Sequence, residues 1–119
     1  MRDPKKLRVF QKADAAVVEV YKATRKFPVE ERYGLQAQLR RAAVSVANTL
    51  IEGCARRTTA TYLQFVDIAA GSAIETRFLV DLSCRLGFLS QEVRDRLVAE
   101  YSEILAGCIA LQSSLEDQP

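Results

Sequence analysis

The sequence predicts an all-α protein, an antiparallel up-and-down four-helix bundle, and two observations carry that prediction. Apolar residues recur at helical spacing along the whole chain, with no alternating strand-like run of useful length. Glycine and proline are sparse, five and three in 119 residues, and most of them fall where breaks between helices are wanted. A chain of this length holds a single domain spanning residues 1–119, with no room for a second core.

The first helix is expected at about residues 8 to 26, with Phe10, Ala13, Val17, Val20, Tyr21 and Thr24 on its inner stripe. Arg25 and Lys26 fall in its last turn, where cations suit the negative helix end. Phe27-Pro28 ends it. A second helix is expected from about Glu30 to Cys54, opened by Pro28 and the acidic pair Glu30 and Glu31. Gly53 closes that segment. The third helix is expected from about Thr59 to Leu86, with Gly87 as its C′ glycine. Ser90 then caps a fourth, whose Leu97, Tyr101, Ile104, Cys108, Leu111 and Leu115 step by four and three in alternation. Gly71 and Gly107, inside helical patterns, are expected to permit close helix contacts.

Two helices carry more apolar surface than one bundle can bury. On the second, Leu35, Leu39, Ala42, Ala43, Val46 and Leu50 form one stripe, and Ala37, Val44, Ile51 and Ala55 widen it. The apolar arc then covers roughly 200° of the wheel, against the ~100° stripe of a surface helix. The third helix is apolar almost all round. Such a surplus marks an interface. The charges point the same way. Residues 1–57 hold 13 basic and 6 acidic side chains, a charge of +7; residues 58–119 hold 4 and 9, a charge of −5. A protomer with opposite charge on different flanks can dock head to tail onto a copy of itself, and such contacts close into a cyclic homo-oligomer.

Composition narrows the chemistry. There is no histidine, which removes His-based acid–base catalysis and imidazole metal sites. Cys54, Cys84 and Cys108 are three widely spaced thiols without a CxxC, and read as small buried hydrophobes. No nucleotide-binding loop or nucleophile elbow is present. No enzymatic activity and no cofactor are expected. The charged N-terminus lacks an apolar signal region, and no stretch is long enough to span a membrane, so a cytoplasmic protein without a membrane partner is expected.

Two sets of polar residues stand out. Arg41, Ser45, Asn48 and Glu52 share one narrow face of the second helix, and Ser72 and Glu75 lie three apart on the third. Two carboxylates there could serve a metal or acid–base role; the reading preferred is a structural network that fixes helix register. The second set is basic. The start of helix 1 and the end of helix 2 share one end of an up-down bundle, which collects Arg2, Lys5, Lys6, Arg8, Arg56 and Arg57, opposed by Asp3 and by Glu116 and Asp117. Arg40 and Arg41 add a pair in mid-helix 2. Together Lys5, Lys6, Arg8, Arg40, Arg41, Arg56 and Arg57 are the candidates for contact with RNA or DNA. The alternative is an adaptor whose ring recruits another protein, with no nucleic acid involved.

The run Phe27-Pro28-Val29-Glu30-Glu31-Arg32-Tyr33-Gly34-Leu35, continued by Gln36-Ala37-Gln38-Leu39-Arg40-Arg41-Ala42-Ala43-Val44-Ser45, resembles the signature of the 23S rRNA intervening-sequence protein family. Leu7 to Ala13, Glu52-Gly53, Ile68-Ala69-Ala70-Gly71-Ser72 with Glu75, and Leu86-Gly87-Phe88-Leu89 extend the likeness over most of residues 7 to 112. The resemblance implies a small bacterial four-helix bundle assembled as a homopentamer, of poorly defined role and with no assigned enzymatic activity. The family is similar to the accessory protein of diversity-generating retroelements, a basic pentamer thought to engage nucleic acid and a reverse transcriptase. Two departures stand in this chain. Thr49 occupies the position where the family usually has asparagine, with Asn48 one residue earlier, and Cys54 follows Glu-Gly where an aromatic is usual.

Overall fold

The computed structural model describes residues 1–116, with the side chain of Glu116 left aside. Four α-helices and no strand occur among the described residues: α1 (Arg8–Thr24), α2 (Leu35–Cys54), α3 (Thr59–Arg85) and α4 (Gln91–Glu116). Short 3-10 turns precede α1 and α2, at Pro4–Lys6 and Val29–Glu31. Neighbours in the chain are neighbours in space, and α4 returns to α1. Cross-helix contacts between Arg40 and Thr24, Ser45 and Ser72, Arg94 and Asp81, and Lys12 and Glu103 each join residues that converge as one helix number rises and the other falls. All four seams are therefore antiparallel, as an up-and-down bundle requires.

The ends of the helices are set by recognisable chemistry. Thr58 Oγ1 accepts from Thr61 N at 3.1 Å to open α3, and Ser90 Oγ accepts from Val93 N at 3.2 Å to open α4. Gly87, at φ +84°, closes α3 with Phe88 N donating to Ser83 O and Gly87 N to Cys84 O, the paired bonds of a Schellman motif. Two expected boundaries move. Helix 2 starts at Leu35 and not at Glu30, because Glu30 and Glu31 form a separate 3-10 turn after Pro28. Glu31 Oε1 then reaches forward to accept from Leu35 N at 2.9 Å. Helix 1 stops at Thr24, leaving Arg25 and Lys26 just beyond it.

The core runs the length of the bundle. Ala13, Val20, Leu39, Ala43, Val46, Leu50, Tyr62, Val66, Ala73, Val80, Leu97, Tyr101, Ile104 and Cys108 are fully buried. The inner stripe of α1 is rotated from the expected one: Val9 and Ala16 take core positions, Phe10 and Val17 pack half-buried, and Tyr21 is exposed at the α1–α2 seam. Phe27 and Phe88, in the two loops at one end, pack ring to ring with centroids 5.6 Å apart. Gly53 lies inside the last turn of α2, where an added Cβ would sit 2.8 Å from Phe65 Cβ, so α2 and α3 come together there more closely than alanine would allow. Gly107 packs tightly on Val9, where an added Cβ would sit 3.0 Å from Val9 Cγ2 and require a small shift of that side chain, whereas Gly71 faces open space. Cys54 and Cys108 are buried free thiols, with burial pushing Cys108 up to about 11.

Candidate functional site

The polar residues of α2 and α3 resolve into two local contacts. Ser45 and Ser72 share a hydrogen bond of 2.9 Å across the α2–α3 seam. Asn48 Nδ2 donates to Glu52 Oε1 at 2.9 Å along α2. Thr49 turns inward along its own helix and donates to Ser45 O at 2.6 Å, so the asparagine of this face is Asn48. Arg41 and Glu75 are exposed on the same surface, and neither enters a hydrogen bond or ion pair among the described residues. Arg77 reaches instead to Ser102 Oγ at 3.2 Å. Glu52 and Glu75 do not converge. The tight approach of Gly53 to Phe65 places Glu52 near that level of α3, ten residues or ~15 Å of helix rise from Glu75. Among the described residues, no three His, Cys, Asp or Glu side chains are grouped to hold a metal ion.

The basic end forms as the chain order dictates. Arg2 N donates to Cys54 O at 2.9 Å, tying the N-terminus to the last turn of α2. Lys5, Lys6, Arg8, Arg56 and Arg57 are all exposed around that junction. Two cations there sit over aromatic rings, Arg2 Cζ at 4.0 Å from the Tyr62 centroid and Arg56 Cζ at 4.7 Å from that of Phe65. Asp3 Oδ1 accepts from Lys5 N at 3.0 Å and so caps the first turn. Asp117 and the side chain of Glu116, expected to oppose this cluster, lie outside the described residues.

Arg40 and Arg41 do not join that end. They stand 15 or more residues back along α2, more than ~20 Å away. Arg40 is held within the bundle: its Nε donates to Thr24 Oγ1 at 2.8 Å, its Nη2 to Tyr21 O at 3.2 Å, and its guanidinium lies 4.4 Å from the Tyr21 ring centroid. It clamps α1 to α2. Only Arg41 of the pair is free to meet a partner.

Two features were beyond the reach of the sequence. The first is an open groove of about 680 Å³ between α1 and α2, lined by Tyr21, Arg32, Tyr33, Arg40, Arg41 and Val44 among others, with no carboxylate in its wall. Tyr33, at its rim, is 86 % exposed. The spacing of Ala37, Val44 and Ile51 at seven-residue steps was the visible trace of this face; the groove itself needs α1 beside it. The second feature is a carboxyl pair across the α1–α4 seam. Burial, then the facing Glu19, push Glu100 up to about 7, and Glu100 Oε2 is buried without a hydrogen-bond partner. A pocket of about 210 Å³ opens beside them, lined also by Lys12, whose Nζ meets Glu103 Oε2 at 2.7 Å. Only tertiary packing brings residues 19 and 100 together.

Among the described residues no helix is long and apolar enough to cross a membrane. The model of the 23S rRNA-intervening sequence protein family matches residues 5–110. A crystal structure from Bacteroides thetaiotaomicron, described as a protein of unknown function from the S23 ribosomal protein family, superimposes with a TM-score of 0.78 at 20 % identity. The match covers 87 % of this chain and 96 % of that one, which establishes a shared fold. No curated protein matches the chain.

Proposed function

We propose that this chain, which belongs to the 23S rRNA-intervening sequence protein family, is a non-enzymatic, cytoplasmic four-helix-bundle scaffold that works as a cyclic homo-oligomer. One observation carries the reading: large apolar side chains stand exposed on both charge-bearing flanks. Val18, Val44 and Ile51 belong to the basic half of the chain, and Ile68, Ile74, Phe78 and Ile109 to the acidic half. Apolar patches supply the burial that association needs, and the opposite charges choose which flank meets which. A five-membered ring is the assembly expected from the family resemblance.

The scaffold presents its basic end as the surface for RNA or DNA. In a ring of parallel copies, Lys5, Lys6, Arg8, Arg56 and Arg57 of each protomer gather at one rim, and rows of cations bind phosphates without needing base contacts. The reading leaves Arg40 out, since its hydrogen bonds are spent between α1 and α2. Support for a non-catalytic role comes from the separation of Glu52 and Glu75 and from a chain with no histidine. Titration of labelled single-stranded RNA and of duplex DNA tests the surface. Binding is expected at ~50 mM salt and falls by on the order of 10³-fold by ~200 mM if about six phosphates are engaged. The double variant Arg56→Glu/Arg57→Glu weakens it further. Absence of binding to either nucleic acid at low salt leaves a protein-recruiting scaffold as the function.

A further inference from the structure

The open groove between α1 and α2 brings cations and aromatic rings into one wall. Arg32, Arg40 and Arg41 line it with Tyr21 and Tyr33, and no carboxylate takes part. Glu75, on the same surface as Arg41 beyond the α2–α3 seam, makes no ion pair with it. Glu52 is bonded to Asn48 at the far end and stands ~16 Å of helix rise from Arg41. The groove therefore keeps a surplus of positive charge.

Local structure holds these groups in place. Arg40 is anchored on Thr24 Oγ1 and Tyr21 O through Nε and Nη2, which leaves Nη1 without a protein partner among the described residues. At the other end, the turn before α2 is braced by Glu31 Oε1 accepting from Leu35 N. Gly34 lets that carboxylate come close, since an added Cβ would sit 2.9 Å from Oε1. The braced turn carries Arg32 and Tyr33 into the groove wall. Tyr33 is 86 % exposed, with Arg32 Cζ 5.5 Å from its ring centroid. An aromatic ring left in water to that extent, in the same wall as exposed Arg41, is an unfilled stacking surface beside an anion-binding charge.

We propose that this groove binds a free nucleotide, with the base stacked on Tyr33 and the phosphates held by Arg32 and Arg41. Guanidinium groups grip phosphate oxygens with paired N–H donors, and an aromatic face accepts any base. The volume of about 680 Å³ falls within the ~300–1,000 Å³ of small-molecule sites. An acidic peptide would satisfy the arginines without needing the tyrosine face. Along α2 toward the basic end the cations stop at Arg41, and Ser45, Asn48 and Glu52 follow on that face. The neighbouring phosphates of a strand would find no partners in that direction; a free nucleotide needs none. The site lies more than ~20 Å from the basic end and does not depend on nucleic-acid binding there. Of the apolar residues assigned above to association, only Val44 touches it.

Isothermal titration calorimetry of the intact chain with ADP, adenosine and pyrophosphate tests the site. ADP is expected to bind, pyrophosphate to bind roughly tenfold more weakly, and adenosine not at all. Tyr33→Ala should lower ADP affinity roughly tenfold and leave pyrophosphate unchanged, which a loss of folding could not do. Arg41→Gln should weaken ADP and pyrophosphate together, and Arg56→Glu/Arg57→Glu should leave ADP binding as it is. Equal affinity for ADP and pyrophosphate, or no effect of Tyr33→Ala, would reduce the groove to a simple anion site and overturn the proposal. ADP binding that survives Arg41→Gln and is lost with Arg56 and Arg57 overturns it too, since the ligand then sits at the basic end. Absence of ADP binding at millimolar concentration overturns it whatever the basic end does, and an oligoadenylate that still binds then leaves the basic-end reading standing alone.

Discussion

Replacing Glu100 with glutamine should make the protein more stable at pH 8 and leave it unchanged near pH 4. Glu100 faces Glu19 across the α1–α4 seam, and burial first and the second carboxylate next raise its pKa from 4.5 to about 7. The folded protein thus holds a proton that the unfolded chain has released between those two values. Stability contributed by the protonated pair is fully present below pH ~4.5, falls as pH rises toward ~7, and is flat above it. A shift of this size sets a ceiling of ~3 kcal/mol. Glu100 is only half-buried, and solvent screening reduces that to ~1–2 kcal/mol. The carboxamide carries no charge and still offers a donor to Glu19. Thermal or urea unfolding followed by circular dichroism, at fixed protein concentration, should show Glu100→Gln gaining roughly 3–8 °C in Tm at pH 8. Loss of stability at pH 8, or an equal gain at both pH values, would refute the shared-proton account of this seam.

Three further outcomes follow from the packing. Gly53→Ala should destabilise the bundle by ~1–2 kcal/mol in urea unfolding, because the overlap with Phe65 outweighs the ~1 kcal/mol gain in helix propensity. Gly87→Ala should cost ~1 kcal/mol, since φ +84° suits only glycine there, and amide exchange should show the end of α3 fraying. Arg40→Ala should lower stability by ~1–3 kcal/mol through two lost hydrogen bonds and the Tyr21 contact, while any binding of nucleic acid at the distant basic end keeps its salt dependence.

Much of the fold is legible in residue spacing. The alternating steps from Leu97 to Cys108 name four of the core positions of α4, and Gly87 and Ser90 mark the ends at which α3 stops and α4 starts. Boundaries near Pro28 are not, because a carboxylate pair reads equally as the first turn of a helix or as a separate 3-10 turn. Glu31 accepting from Leu35 N decides it. On α1, Ala13, Val20 and Thr24 are buried as the spacing predicts, while Val9 and Ala16 take the core places expected of Phe10 and Val17 and Tyr21 stays exposed, since Tyr21 is amphipathic and small Ala16 gives no strong signal. For the sites, spacing along one helix shows which residues share a face but not what stands opposite. Asn48 and Glu52 could be paired from their four-residue separation. Ser45 with Ser72, Glu19 with Glu100, and the capture of Arg40 by Thr24 required the bundle.

The central claim, that copies of this bundle recognise one another through oppositely charged apolar flanks, is tested most directly by the mass of the protein in solution. Size-exclusion chromatography with light scattering at micromolar concentration should report an integral multiple of 13.3 kDa, about 67 kDa for a five-membered ring. A single species of 13.3 kDa at that concentration would contradict it.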